Sequence, residues 1–245
     1  MKLYPSTVFN RPLLNSTFIR RSGLLEKLEK YKETQLIVIE APPGYGKTTL
    51  ISSYAENRNV VWLNVTKYNR SPLQFFHSLV AAVNNLYSAI GSNLLPLIEE
   101  LMNGKQDKEI FEALEDASLL LVNDIEDSSG DITLVIDDLQ FADSETDPAW
   151  LSNLLTTLVS LEASKLKMII SSRHKIPVNY PVLEVKNKLK VIGQKDMEFT
   201  LGETRELVDT SFPIVNSENF INSYYHELSG WPAGIYLCLQ KFSNA

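Results

Sequence analysis

The chain has 245 residues, 44% of them hydrophobic, which is enough to bury one large core or one core with a small appendage. Its formal net charge of −7 argues against this stretch gripping a nucleic-acid backbone by itself. The single cysteine, Cys238, excludes an internal disulfide framework, and no apolar run is long enough for a signal peptide or a bilayer span, so a cytoplasmic protein with no membrane partner is expected.

The first thirty residues read as an irregular arm, punctuated by Arg11-Pro12 and Asn15-Ser16, and then a helix with Leu24, Leu25, Leu28 and Tyr31 at helical spacing. The aliphatic run 36–39 predicts a strand and 49–55 a helix. Between them stands Ala41-Pro42-Pro43-Gly44-Tyr45-Gly46-Lys47-Thr48. A strand, a tight glycine loop and a helix start make a phosphate-binding P-loop. Such a loop turns its backbone N–H groups inward, and the helix N-terminus adds the positive end of its dipole. Lys47 would reach the β- and γ-phosphates and the Thr48 hydroxyl would sit on Mg²⁺. Ala41 replaces the usual first glycine, at a position that mainly closes the turn.

A second strand is expected over 60–65, and Ser71-Pro72 reads as an N-cap and first helical position for a helix over 73–87. The helical stretch 86–130, with a break near Asn103-Gly104, is too long for one crossover, so at least two helices should join strands two and three. The apolar strand 132–136 runs into Asp137-Asp138. Asp137 would hold Mg²⁺ directly or through water, and Asp138 takes the place of a water-activating acid. The alternative is a solvated strand end. A helix over 149–161 and a fourth strand over 166–171 follow. Arg173 at that strand's tip could touch the γ-phosphate or simply cap the strand as a surface cation.

A weaker fifth strand lies at 189–192. Strands alternating with helices give an α/β fold, a parallel five-stranded sheet with helices on both faces. The boundary falls near Lys195: 1–195 form a nucleotide-binding domain with its arm, and 196–245 a small C-terminal helical subdomain. That subdomain opens with a capping box, Thr200 and Glu203, and ends with a turn at Gly230-Trp231-Pro232 and a helix over 233–242. His77, His174 and His226 lack metal-ligand spacing, leaving Mg²⁺ as the expected metal. Thr66-Lys67-Tyr68-Asn69 lacks the Asp of a guanine-reading element and precedes the acidic strand, which favours adenine. Arg20 and Arg21, ahead of the first helix, could flank the base or stay solvated.

Several segments occur together in order: Pro43-Gly44-Tyr45-Gly46-Lys47-Thr48-Thr49, Leu134-Val135-Ile136-Asp137-Asp138, Ser171-Ser172-Arg173 and Ser229-Gly230-Trp231-Pro232-Ala233-Gly234. With Arg11-Pro12, Arg20-Arg21, Leu24-Leu25 and Met197-Glu198-Phe199-Thr200, the chain resembles the N-terminal part of the large LuxR-family regulators of the maltose-regulon activator type. These belong to the signal-transducing ATPases with numerous domains (STAND).

The resemblance implies an ATP/ADP switch with slow hydrolysis, closed and inactive with ADP, self-associating once inducer and ATP are bound. It makes Arg173 a phosphate sensor, Pro232 an adenine contact, and Arg20 and Arg21 part of the base-binding segment. Members often carry an aromatic residue and a His after the two aspartates, where this chain has Leu139-Gln140-Phe141. Such regulators continue into winged-helix, inducer-binding and helix-turn-helix parts, none of which lies in these residues. The chain then reads as an excised piece rather than a naturally shortened relative, reaching DNA only through a domain it lacks. A small-molecule kinase and a ring-forming ATPase are the competing readings. Lys47→Ala is expected to abolish nucleotide binding, and Asp138→Asn to leave binding intact while slowing hydrolysis. Equilibrium binding and phosphate release measured on the two variants check this.

Overall fold

Short runs rich in β-branched and other aliphatic residues form the strands β1 (Leu36–Glu40), β2 (Val60–Asn64), β3 (Ile132–Asp137), β4 (Leu166–Ser172) and β5 (Leu189–Ile192). In the computed structural model they pair in parallel in the order β2-β3-β4-β1-β5. The structure describes residues 5–15, 18–102, 107–142, 149–160 and 163–243, with the backbone alone at 107–111 and 160.

Parallel strands with apolar side chains on both sides must be covered on both faces. Successive side chains alternate between the faces, so Leu36 and Val38 enter one core while Ile37 and Ile39 enter the other. The first core is closed by α3 (Pro72–Leu86), α4 (Leu94–Met102), α5 (Asp107–Glu126) and α6 (Ala149–Ser160), through residues such as Phe75, Ile98, Leu121 and Leu155. The second is closed by α1 (Ser22–Lys30) and α2 (Lys47–Tyr54), through Leu28, Leu50 and Ile51. Among the described residues three α-helices, α3, α4 and α5, join β2 to β3, in keeping with the expectation of at least two. The break expected near Asn103-Gly104 lies outside the described residues, as do Ser16, Leu161 and the last two residues.

The capping signals act as the sequence suggests. The Ser71 hydroxyl accepts from the Gln74 N–H at the start of α3. Thr200 and Glu203 cap α9 (Leu201–Ser211) reciprocally. A helix beyond those expected, α7 (Tyr180–Val185), lies between β4 and β5; Asn179 caps it and Pro181 sits in its first turn. After β5 come α8 (Gln194–Met197), α9, then α10 (Ser217–Phe220), which continues through a π-helical turn at Ile221–Tyr225 into α11 (His226–Leu228), and finally α12 (Pro232–Ser243). Leu207, Val208, Phe220, Ile235 and Leu239 make a third core that also takes in Ile19 of the arm. Among the described residues no helix is long and apolar enough to cross a membrane.

Arg21 fastens the arm to this last region. It is buried, and its guanidinium donates to both oxygens of Glu203 at 2.9 and 3.1 Å, to the Met197 carbonyl at 2.8 Å and to the Glu198 carbonyl at 2.7 Å. It also lies 5.1 Å from the centre of the Phe199 ring. Such a fork-shaped pairing is directional, and removing one partner strands the rest of the buried network. Arg21→Ala is expected to destabilise the protein by about 3 kcal/mol. Arg21→Lys should recover only part of that loss, both read as the denaturation midpoint.

Candidate functional site

Because all five strands run the same way, their carboxyl ends lie on one edge, and the sheet order brings the ends of β1, β4 and β3 side by side. The 41–46 loop leaves β1 there. Gly44 and Gly46 both have φ of +80°, in the left-handed region where a side chain is strained. At Gly44 space is short as well: an added Cβ would stand 2.6 Å from the Ala233 Cβ and 2.9 Å from the Trp231 indole nitrogen. Ala41 is buried, has no positive φ and packs with the second core, so the alanine in place of a glycine brings no strain.

Five of the loop's carbonyls find donors. Lys47 Nζ donates to Ala41 O at 2.6 Å and Pro42 O at 3.2 Å. The Trp231 indole N–H reaches Pro43 O at 3.2 Å, the Ala233 N–H reaches Gly44 O at 3.1 Å, and the Leu50 N–H reaches Gly46 O at 2.9 Å. The Gly230-Trp231-Pro232 turn, a plain turn by default in sequence, thus grips the loop. Two glycines permit this close approach: Gly230, at φ +68°, fits against the Phe199 backbone, and a Cβ on Gly234 would meet the Trp231 ring at 2.4 Å.

Lys47 and Asp137 lie close enough to interact electrostatically. Burial pushes the Lys47 ammonium below its usual pKa, with Asp138 pulling it back up, Arg173 lowering it further and Asp137 opposing that. Burial pushes the Asp137 carboxyl up, against hydrogen bonds from the Ser171 and Thr48 hydroxyls. Ser171 is the hub between the acids: its hydroxyl donates to Asp137 Oδ1 and accepts from the Asp138 N–H at 2.9 Å. Asp138 leaves the strand at φ 59°, a left-handed conformation that Asp tolerates. Its carboxylate accepts from Gln140 Nε2 at 2.8 Å, and Gln140 Oε1 accepts from the Arg173 N–H at 3.1 Å. The Arg173 guanidinium sits 5.3 Å from the centre of the Phe141 ring.

On the other side of the loop lies a cavity of about 190 Å³. Gly44, Tyr45, Gly46, Thr49, Leu50 and Ser53 line it from the loop and α2, Arg21 from the arm, and Pro232 and Tyr236 from α12. Gln194 holds the Tyr45 hydroxyl at 2.9 Å. Ser53 was not anticipated; its buried hydroxyl has no partner among the described residues. The two arginines separate. Arg20 does not line the cavity and donates to Glu56 at the surface, at 3.1 Å. Arg21 does line it, but with its guanidinium engaged by Glu203 and two carbonyls. Neither presents a free cation to the cavity, because the arm's attachment uses both.

Residues 15–173 match the family model described as Nephrocystin 3, N-terminal. The chain belongs to this family. The Nephrocystin 3 N-terminal match takes in the loop and both aspartates and stops at Arg173, so Pro232 and the Trp231 turn lie beyond it. Among solved structures, the Walker-type ATPase of Pyrococcus abyssi has a TM-score of 0.52 at 14% identity, over 89% of this chain and 65% of that one. Cdc6p from Pyrobaculum aerophilum gives 0.48 at 14% identity, over 84% and 52%, and the FIGL-1 AAA domain in complex with ADP gives 0.40 at 13%, over 87% and 62%. The chain thus spans just under two-thirds of the length of the first. The fold is that of the P-loop ATPases.

A carboxyl whose folded pKa lies above its unfolded value binds more protons when folded, so it costs stability as pH rises past its ordinary 3.8. Asp137→Asn removes that buried charge while keeping an oxygen for Ser171 and Thr48. The variant is expected to have a higher Tm than the parent at neutral pH without nucleotide, and the gap should close as pH falls towards 3.8, measured by thermal denaturation.

Proposed function

We propose that this chain is an ATP/ADP-binding switch module of a larger regulator, in which slow Mg²⁺-dependent ATP hydrolysis resets the signalling state. The observation that carries this reading is the grip of the Trp231 turn on the Pro43 and Gly44 carbonyls, which joins the phosphate loop and the C-terminal helices into one hydrogen-bonded unit. A nucleotide at the loop then bears directly on the region that follows, as a switch requires.

In this reading the inward N–H groups of the loop and the first turn of α2, with Thr49, hold the phosphates, and Lys47 exchanges the Ala41 and Pro42 carbonyls for phosphate oxygens. Asp138 orients and accepts a proton from the attacking water, and Arg173 reads the γ-phosphate. The base enters the cavity between Tyr45 and Pro232, with the Ser53 hydroxyl as a reader of its edge. Asp137 and Thr48 fit Mg²⁺: they are hydrogen-bonded oxygen donors, and a buried carboxylate held above its usual pKa gains from a cation. Among the described residues no three His, Cys, Asp or Glu side chains form a metal-binding group, so Asp137 and Thr48 would be the side chains that hold the ion. Bound there, Mg²⁺ neutralises phosphate charge.

The module divides at about residue 195 into a nucleotide-binding part and a helical part that begins the following regulatory region. As in the maltose-activator type, self-association belongs to the ATP state of the full-length protein, which works in the cytoplasm and meets DNA through another domain. The first test is to denature the purified chain and identify any released nucleotide by chromatography. Stoichiometric ADP is expected. An empty site with rapid turnover of added ATP would mark a working enzyme and overturn the switch.

A further inference from the structure

We propose that Gln140 is a positioning residue that ties the Asp138 carboxylate to the backbone of Arg173. This rests on the roles given above to Asp138 and Arg173.

A side-chain amide has one donating and one accepting end. Here the donating end, Nε2, lies 2.8 Å from Asp138 Oδ1, and the accepting end, Oε1, lies 3.1 Å from the Arg173 N–H. A carboxylate can only accept and an N–H can only donate, so turning the amide over would lose both bonds. The orientation is therefore fixed by chemistry. Among the described residues of the turn after β3, no other side chain makes this connection. Leu139 is apolar and buried, and Phe141 lies beneath the Arg173 guanidinium.

Asp138 needs such an anchor. Its left-handed backbone has already left the strand, and its own N–H is held by Ser171 on β4. Gln140 gives the carboxylate a second attachment, also to the β4 end. Both the backbone and the side chain of Asp138 are thereby referred to the strand that carries Arg173. A carboxylate that must line up a water against a phosphate tolerates displacements of only about half an ångström. Any shift of the β4 tip on γ-phosphate contact passes through the amide to that carboxylate. Gln140 thus couples the sensing of the terminal phosphate to its hydrolysis, without touching the nucleotide itself.

The test is a double-mutant cycle on ATP hydrolysis and ATP affinity, with wild type, Gln140→Leu, Asp138→Asn and the double variant. Gln140→Leu keeps the volume and removes both hydrogen bonds. It is expected to lower kcat about tenfold while ATP affinity stays within about twofold, and to cost less than about twofold in the Asp138→Asn background, where the carboxylate it positions is gone. An unchanged kcat in Gln140→Leu, or the same loss in both backgrounds, would overturn the proposal. Should Gln140→Leu fail to fold, Gln140→Glu is read instead: it keeps the acceptor end and the shape but cannot donate to Asp138, and the same cycle applies. A wild-type chain that neither binds nor hydrolyses ATP overturns the switch reading and this inference with it. A wild type that does both beside an unimpaired Gln140 variant overturns this inference alone.

Discussion

A loop that turns its N–H groups towards a ligand must turn its carbonyls the other way, and a carbonyl pressed into protein needs a donor. The 41–46 loop meets this requirement with groups from two places. The helix α2 serves Ala41 and Pro42 through the Lys47 side chain and Gly46 through the Leu50 N–H, while Trp231 and Ala233 at the start of α12 serve Pro43 and Gly44. The loop's backbone is thus held by contacts to both helices that flank it. The close approach this demands explains why Gly44 carries no side chain and why Ala233 and Gly234 are small.

The edge of the sheet also carries two charges that burial penalises in opposite senses, an ammonium pushed down and a carboxyl pushed up. Although both groups belong to one site, they do not bond one another; each leans on neutral partners, carbonyls for Lys47 and hydroxyls for Asp137. Burial disfavours the charged form of both groups, and strongly perturbed groups of this kind cluster at functional sites.

Much of this was legible in the sequence. The strands stand out because a doubly covered parallel strand needs an unbroken aliphatic run, and the loop because its chemistry needs fixed spacing. Ser71, Thr200 and Glu203 were legible because capping is local. What stayed hidden is what depends on distant partners. Arg20 and Arg21 are neighbours of the same type, yet the side chain of one is 58% exposed and that of the other 8%. The difference is made by Glu203, 182 residues from Arg21, which no local pattern announces. The strand order, with β4 between β1 and β3, was likewise not readable, and it alone makes Ser171 the bridge between the aspartates. The helix α7 carries local signals too, the Asn179 cap and Pro181 in its first turn.

The three tryptophans are distributed in a way that has an optical consequence. Trp62 and Trp150 are each 2% exposed, deep in the two faces of the sheet, whereas Trp231 is 38% exposed and bonded through its indole to the loop. The long-wavelength, collisionally quenchable part of the intrinsic emission therefore belongs to one residue, and that residue is hydrogen-bonded to the loop through Pro43. The protein carries a native chromophore at the loop, with no label added.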